Sequence, residues 1–100
     1  ENTIIVVMAD HGQGLSDGKE RHGWYAHRLL YQEQIRVPFI MRLPQGQGPR
    51  NYVVQDLVRN IDIFPTIFDL LQLDYSGTVE GSSLMGLIHN QPEPPRAAYA

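Results

Sequence analysis

TIIVVMADHGQGLSDGKERHGWYAH, Thr3 to His27, decides how the rest of the chain is read. Its first seven residues, Thr3 to Ala9, are rich in Ile and Val and show no alternation of polar and apolar positions. A run this short and this β-branched reads as a strand, against the alternative of a buried helix segment. Strands that are apolar on both faces belong to parallel sheets covered by helices. The expected fold class is therefore α/β, with a mostly parallel sheet under helices. The run stops at Asp10-His11-Gly12. Ligands of open α/β sheets bind beyond the carboxyl ends of the strands, which is where this acid and imidazole fall.

Asp10 offers a hard oxygen donor and His11 an imidazole nitrogen. Together they can bind one divalent cation. The same dipeptide also reads as a turn capped by Asp10 with His11 on the surface. Gly12 favours the ligand reading, since a glycine lets the backbone turn sharply. Three of the four histidines of the chain, His11, His22 and His27, lie within this one stretch. His22 and His27 can be metal ligands, proton donors or anion contacts, because imidazole titrates near neutral pH. The loop from Gly12 to Arg28 exceeds the usual connection of about 4–6 residues, and long ordered loops tend to be functional.

Outward from this stretch, the residues suggest packing. Leu29 to Glu33 reads as a helical turn. Arg36-Val37-Pro38 is expected to be extended, and Phe39 to Leu43 to be a second strand opened by Pro38. Pro44 to Asn51 reads as a surface loop. Asn60 to Leu73 is the clearest helix, with Asp62, Thr66, Asp69 and Gln72 on one narrow polar stripe and apolar residues elsewhere. Pro65 fits only in the first turn, so Asp62 is expected to cap the helix with its carboxylate rather than act as a catalytic acid. Gly81-Ser82-Ser83-Leu84 is expected to start a short helix through Ile88, and Asn90 to Pro95 to end it as a linker.

A hundred residues with 42% hydrophobic and 19% charged content describe about one small globular domain. The net charge of −3 gives no support for a nucleic-acid partner. No apolar run approaches the roughly 18 residues of a membrane helix. The absence of cysteine removes disulfides and a Cys nucleophile from these residues, and compartment is left unassigned. The start at Glu1, two residues before a strand, and the uncapped end after Arg96 lead to the expectation of an excerpt from a longer polypeptide.

With these residues in hand, the chain resembles the sulfatase family of the alkaline phosphatase-like superfamily. Thr3 to Gly12 looks like the family's strand ending in Asp-His-Gly or Asp-Asn-Gly. His22-Gly23, Leu30-Tyr31-Gln32-Glu33 and Ile35-Arg36-Val37-Pro38 resemble its segment HG…LYEE..IRVP. Asn60 to Leu71 resembles DI.PTLLDL, and Gly81 to Leu84 resembles G.SL. Four motifs in one order are specific where each alone is weak. Two positions depart from the pattern: His27 stands where many members have lysine, and Gln32 where glutamate is usual.

The resemblance implies that residues 1–100 form the C-terminal portion of an alkaline phosphatase-like sandwich. It implies Asp10 and His11 as ligands of a divalent cation, usually Ca2+, and His22 and His27 facing the sulfate or the leaving oxygen. The expected substrate is a small-molecule or glycan sulfate ester. The nucleophile, a formylglycine made from a C/S-x-P-S-R segment, is absent here and expected upstream. Two other readings stand beside this one. One is a phosphodiesterase or phosphoryl transferase of the same superfamily with Zn2+ or Mn2+. The other is a non-catalytic structural piece. Self-association through unpaired strand edges is a further expectation.

Overall fold

The computed structural model describes residues 2–14 and 30–99. These divide into two compact units, one ending at Gln45 and the other running from Gly46 to Tyr99. In the first unit, strand β1 spans Ile5–Met8 and strand β2 spans Phe39–Arg42. They pair antiparallel, with Ile5 opposite Arg42, Val6 opposite Met41, Val7 opposite Ile40 and Met8 opposite Phe39. Both expected strands are present, each shorter than its apolar run. Pro38 has no N–H with which to extend the ladder past Phe39. The described pair is antiparallel, whereas the unbroken apolar run led to an expectation of parallel neighbours.

Burial differs from expectation as well. Ile5, Val7, Met8 and Ile40 are exposed, and among the described residues no helix packs on this sheet. Helix α1, Gln32–Ile35, begins three residues later than the expected turn. Arg36 is extended, and its N–H closes α1 on the Gln32 carbonyl.

The second unit is built on α2, Ile63–Leu70, entered through a 3-10 turn at Asn60–Asp62. Pro65 sits third in α2, where its missing N–H falls among the four that a helix start leaves unbonded anyway. The helix ends earlier than Leu73. Gln72 takes a left-handed conformation (φ 52°), its N–H bonds the Asp69 carbonyl, and the Leu73 N–H bonds that of Phe68. This is a Schellman ending with glutamine where glycine is commonest. Helix α3, Met85–Ile88, ends the same way: Asn90 is left-handed (φ 55°), its N–H reaches the Leu87 carbonyl, and the Gln91 N–H reaches that of Gly86.

The expected polar stripe of α2 splits in two. Asp69 and Gln72 are exposed. Asp62 and Thr66 are the most buried side chains described, both at 0% exposure, beside the buried Leu84 and Leu87. The reason is the segment they face. Residues 82–84 bring backbone N–H groups against the start of α2, and a buried N–H needs an acceptor. Asp62 Oδ1 accepts from the Ser82 N–H at 2.9 Å, and Thr66 Oγ1 accepts from the Leu84 N–H at 2.9 Å. Gly81 permits the approach, since a Cβ there would overlap the Ile61 carbonyl. The aromatic residues Phe64, Phe68 and Tyr75 form a second, more exposed cluster, with ring centroids 4.4 to 5.5 Å apart.

Two expectations in this unit need correction. The Asp62 carboxylate does not cap α2. It reaches back to the Arg59 N–H (3.0 Å) and across to Ser82, because the 3-10 turn before α2 already occupies the capping position. Residues 90–95 are not a free linker either. Glu93 folds back on α3, accepting the Leu87 N–H and pairing with Arg96.

Candidate functional site

Asp10 and His11 follow β1 directly, so the strand fixes where the turn begins. The Asp10 carboxylate accepts the His11 N–H through Oδ1 at 3.0 Å. Its other oxygen, Oδ2, stands 3.8 Å from His11 Nε2. His11 Nδ1 lies 2.7 Å from the Gly12 carbonyl oxygen. A carbonyl can only accept, so Nδ1 is the donor and the lone pair of the neutral ring is on Nε2. Both side chains are open to solvent, Asp10 at 91% and His11 at 56%.

This donor set fits a divalent cation. Two donors 3.8 Å apart can share one ion at ordinary ligand distances of about 2.0–2.6 Å. A ring whose second nitrogen donates to a backbone carbonyl also has the orientation typical of metal-bound histidine. Two ligands are only part of a coordination shell. Among the described residues, no group of three or more His, Asp or Glu side chains comes together. His22 and His27 lie outside the described residues.

Gly12 has a different role from the expected sharp turn. Its N–H donates to the Gln34 carbonyl at 2.7 Å, and a Cβ at this position would overlap the Glu33 carbonyl. The glycine is needed for close approach of two backbones. The Asp10-His11-Gly12 turn is thereby held against α1. The nearby Gly14 faces the side chains of Glu33 and Gln34. No spacing in the sequence signals this contact, because it joins residues about 20 positions apart.

The second unit holds its own charged cluster, and it is structural. Asp62 Oδ1 accepts from Arg59 Nη2 at 2.8 Å, and Oδ2 from Arg59 Nε at 3.3 Å. Arg96 Nε lies 3.5 Å from the same carboxylate, and its Nη2 donates to the Ser83 carbonyl and to Glu93. Burial would push the Asp62 carboxyl up. Hydrogen bonds from the Arg59 guanidinium, the Ser82 N–H and the Arg59 N–H outweigh it, with the Arg59 charge, and hold the group below the ordinary carboxylate range.

The four sequence motifs therefore meet in pairs: Asp-His-Gly with the Tyr31–Arg36 segment, and Asn60–Leu71 with Gly81–Leu84. Comparison with known proteins agrees with this order. The chain belongs to the sulfatase family. Its residues 20–99 match the family described as N-sulphoglucosamine sulphohydrolase, C-terminal. It is similar to an N-acetylglucosamine-6-O-sulfatase of Bacteroides thetaiotaomicron, with 31% identity over 99% of this chain and 18% of that protein. An arylsulfatase of Clostridium perfringens is 32% identical over 90% of this chain and 18% of its own length. A ulvan-active sulfatase of Formosa agariphila is 31% identical over 98% and 19%. The chain thus spans about a fifth of the length of these relatives. No solved structure matches it. No helix among the described residues is long and apolar enough to cross a membrane.

Proposed function

We propose that residues 1–100 serve as the C-terminal portion of the catalytic domain of a metal-dependent sulfuric-ester hydrolase. In this reading the chain contributes part of the metal site and part of the sulfate-binding surface to an alkaline phosphatase-like sandwich with a mostly parallel sheet. The observation that carries it is the Asp10-His11 pair at the end of β1, with Oδ2 and Nε2 3.8 Å apart and the ring orientation fixed by Gly12. The sulfatase names of the relatives support the same reaction class.

Asp10 supplies an anionic oxygen and His11 Nε2 a neutral nitrogen to a divalent cation, Ca2+ in the reading preferred here. When bound, that ion polarises a sulfate ester and orients it. Gly12 keeps both ligands registered against α1 through its bond to Gln34. His22 and His27 act on the sulfate and the leaving oxygen, as an anion contact and a proton donor. The nucleophile and the remaining ligands come from elsewhere in the polypeptide, so these 100 residues alone turn over no sulfate ester. The substrate is a small-molecule or glycan sulfate ester.

The test is made on a polypeptide of the relatives' length that carries these residues. It is expected to contain a C/S-x-P-S-R segment upstream, to bind Ca2+ and to hydrolyse an aryl sulfate. Asp10→Ala is expected to lower activity by more than the about 10–100-fold that outer partners of a metal ligand cost. Absence of that segment, or full Ca2+ occupancy in Asp10→Ala, removes the assignment.

A further inference from the structure

Helix α1 buries the wrong residue for its chemistry. Gln34 is 8% exposed, while its neighbour Ile35 is 40% exposed. Glutamine is ordinarily a surface residue, and burying a carboxamide is costly unless its hydrogen bonds are made. Among the described residues, Gln34 is the one buried polar side chain of the first unit. What it faces is the turn that carries Asp10 and His11. The Gln34 carbonyl accepts the Gly12 N–H at 2.7 Å, and the Gly12 carbonyl in turn accepts from His11 Nδ1 at 2.7 Å. One glycine thus links α1 to the imidazole. The end of the Gln34 side chain reaches the next glycine: Nε2 is 3.8 Å from where a Cβ on the buried Gly14 would stand. Backbone and side chain of a single residue therefore hold the chain on both sides of Gln13, directly after the candidate ligand pair.

We propose that Gln34 is a positioning residue for the Asp10–His11 pair: its buried carboxamide seats Gly14 while its carbonyl holds Gly12, and together they fix the direction of the His11 ring. The inference rests on the sulfatase reading above and adds to it a side chain that acts only through its neighbours. Such a residue works on metal affinity, because a ligand already aimed loses less freedom when the ion binds.

The test is made on the polypeptide of relatives' length. Gln34→Met keeps the reach of the side chain and removes the amide, and Gln34→Glu keeps its shape and one oxygen. Both are expected to weaken Ca2+ binding by about 10–100-fold, the loss typical of changes to the outer partners of a metal ligand. In the metal-free protein, hydrogen exchange at the Gly12 amide is expected to be faster by about 10-fold, with exchange in the second unit unaltered. Aryl-sulfate turnover is expected to fall at limiting Ca2+ and to recover at saturating Ca2+, which a general loss of packing would not give. Unchanged Ca2+ affinity in a folded variant overturns the proposal. So does faster exchange through the whole chain with no recovery at saturating Ca2+, which marks Gln34 as packing only. A wild-type polypeptide that binds no Ca2+ and hydrolyses no aryl sulfate refutes the sulfatase reading. The Gly12 exchange rate then decides the seating of the turn on its own, and equal rates in wild type and both variants refute that as well.

Discussion

The chain carries two acids near well-ordered backbone turns, and they are used in opposite ways. Asp10 ends a strand and is almost wholly exposed, and its contacts among the described residues are with His11. Asp62 begins a helix, is wholly buried, and accepts two backbone N–H groups and two contacts from the Arg59 guanidinium. The first leaves its carboxylate open to solvent. The second has spent its lone pairs on the fold itself, so it has none left for a ligand. Exposure and lone-pair accounting separate a candidate ligand from a structural acid more cleanly than residue type does.

That contrast can be broken by substitution. Asp62→Ala is expected to have the largest effect, about 3–5 kcal/mol lost in a denaturant melt, because it removes the buried carboxylate that faces Arg59 and Arg96 Nε and accepts the Ser82 N–H. A loss under about 1 kcal/mol would mean the cluster is dispensable. The acid response follows from the sign of the Asp62 shift. Its carboxyl is held below its unfolded value, so the stabilisation is complete above about pH 4 and declines as pH falls through the folded value. Asp62→Asn is expected to flatten the part of the acid melt below pH ~4 and to lower the plateau above it.

Thr66→Val should cost about 1–3 kcal/mol, since it strands the buried Leu84 N–H, while Thr66→Ser keeps the acceptor and most of the stability. Gly12→Ala is the equivalent test for the first unit. Forcing a Cβ against the Glu33 carbonyl should cost about 1–3 kcal/mol and loosen the Asp10-His11 turn, seen as faster hydrogen exchange at the Gly12 amide. Asp10→Ala is expected to change stability by less than about 0.5 kcal/mol, as befits an exposed side chain outside the packing. A large destabilisation there would place Asp10 with Asp62 among the structural acids and sharpen the comparison against the metal reading.

What the sequence made legible follows the same division. Local signals were readable: the β-branched run that becomes β1, Pro38 at the start of β2, Pro65 in the first turn of α2, and Asn90 at the end of α3. Contacts between distant segments were not. The polar residues of α2 were read as one narrow stripe because periodicity gives a face but not its surroundings. Only the placement of residues 82–84 makes Asp62 and Thr66 interior. Gly12 was recognised as special, but for turning, when its use is close approach to α1. For the candidate site, the pattern gave Asp10 and His11 as adjacent donors. The assignment of Nδ1 as the donor needed the Gly12 carbonyl.

The seating of Glu93 beside Gly86 reaches further than its neighbourhood. A Cβ at residue 86 would strike the Glu93 carboxylate, which also receives the Leu87 amide. Three residues on, Arg96 ties the same tail to the Ser83 carbonyl and to the Asp62 charge. Proteolytic trimming after residue 90 would therefore be felt some 30 positions earlier in the chain, at the turn into α2. The tail behaves as a removable keystone, and its clipping should soften the whole second unit at once.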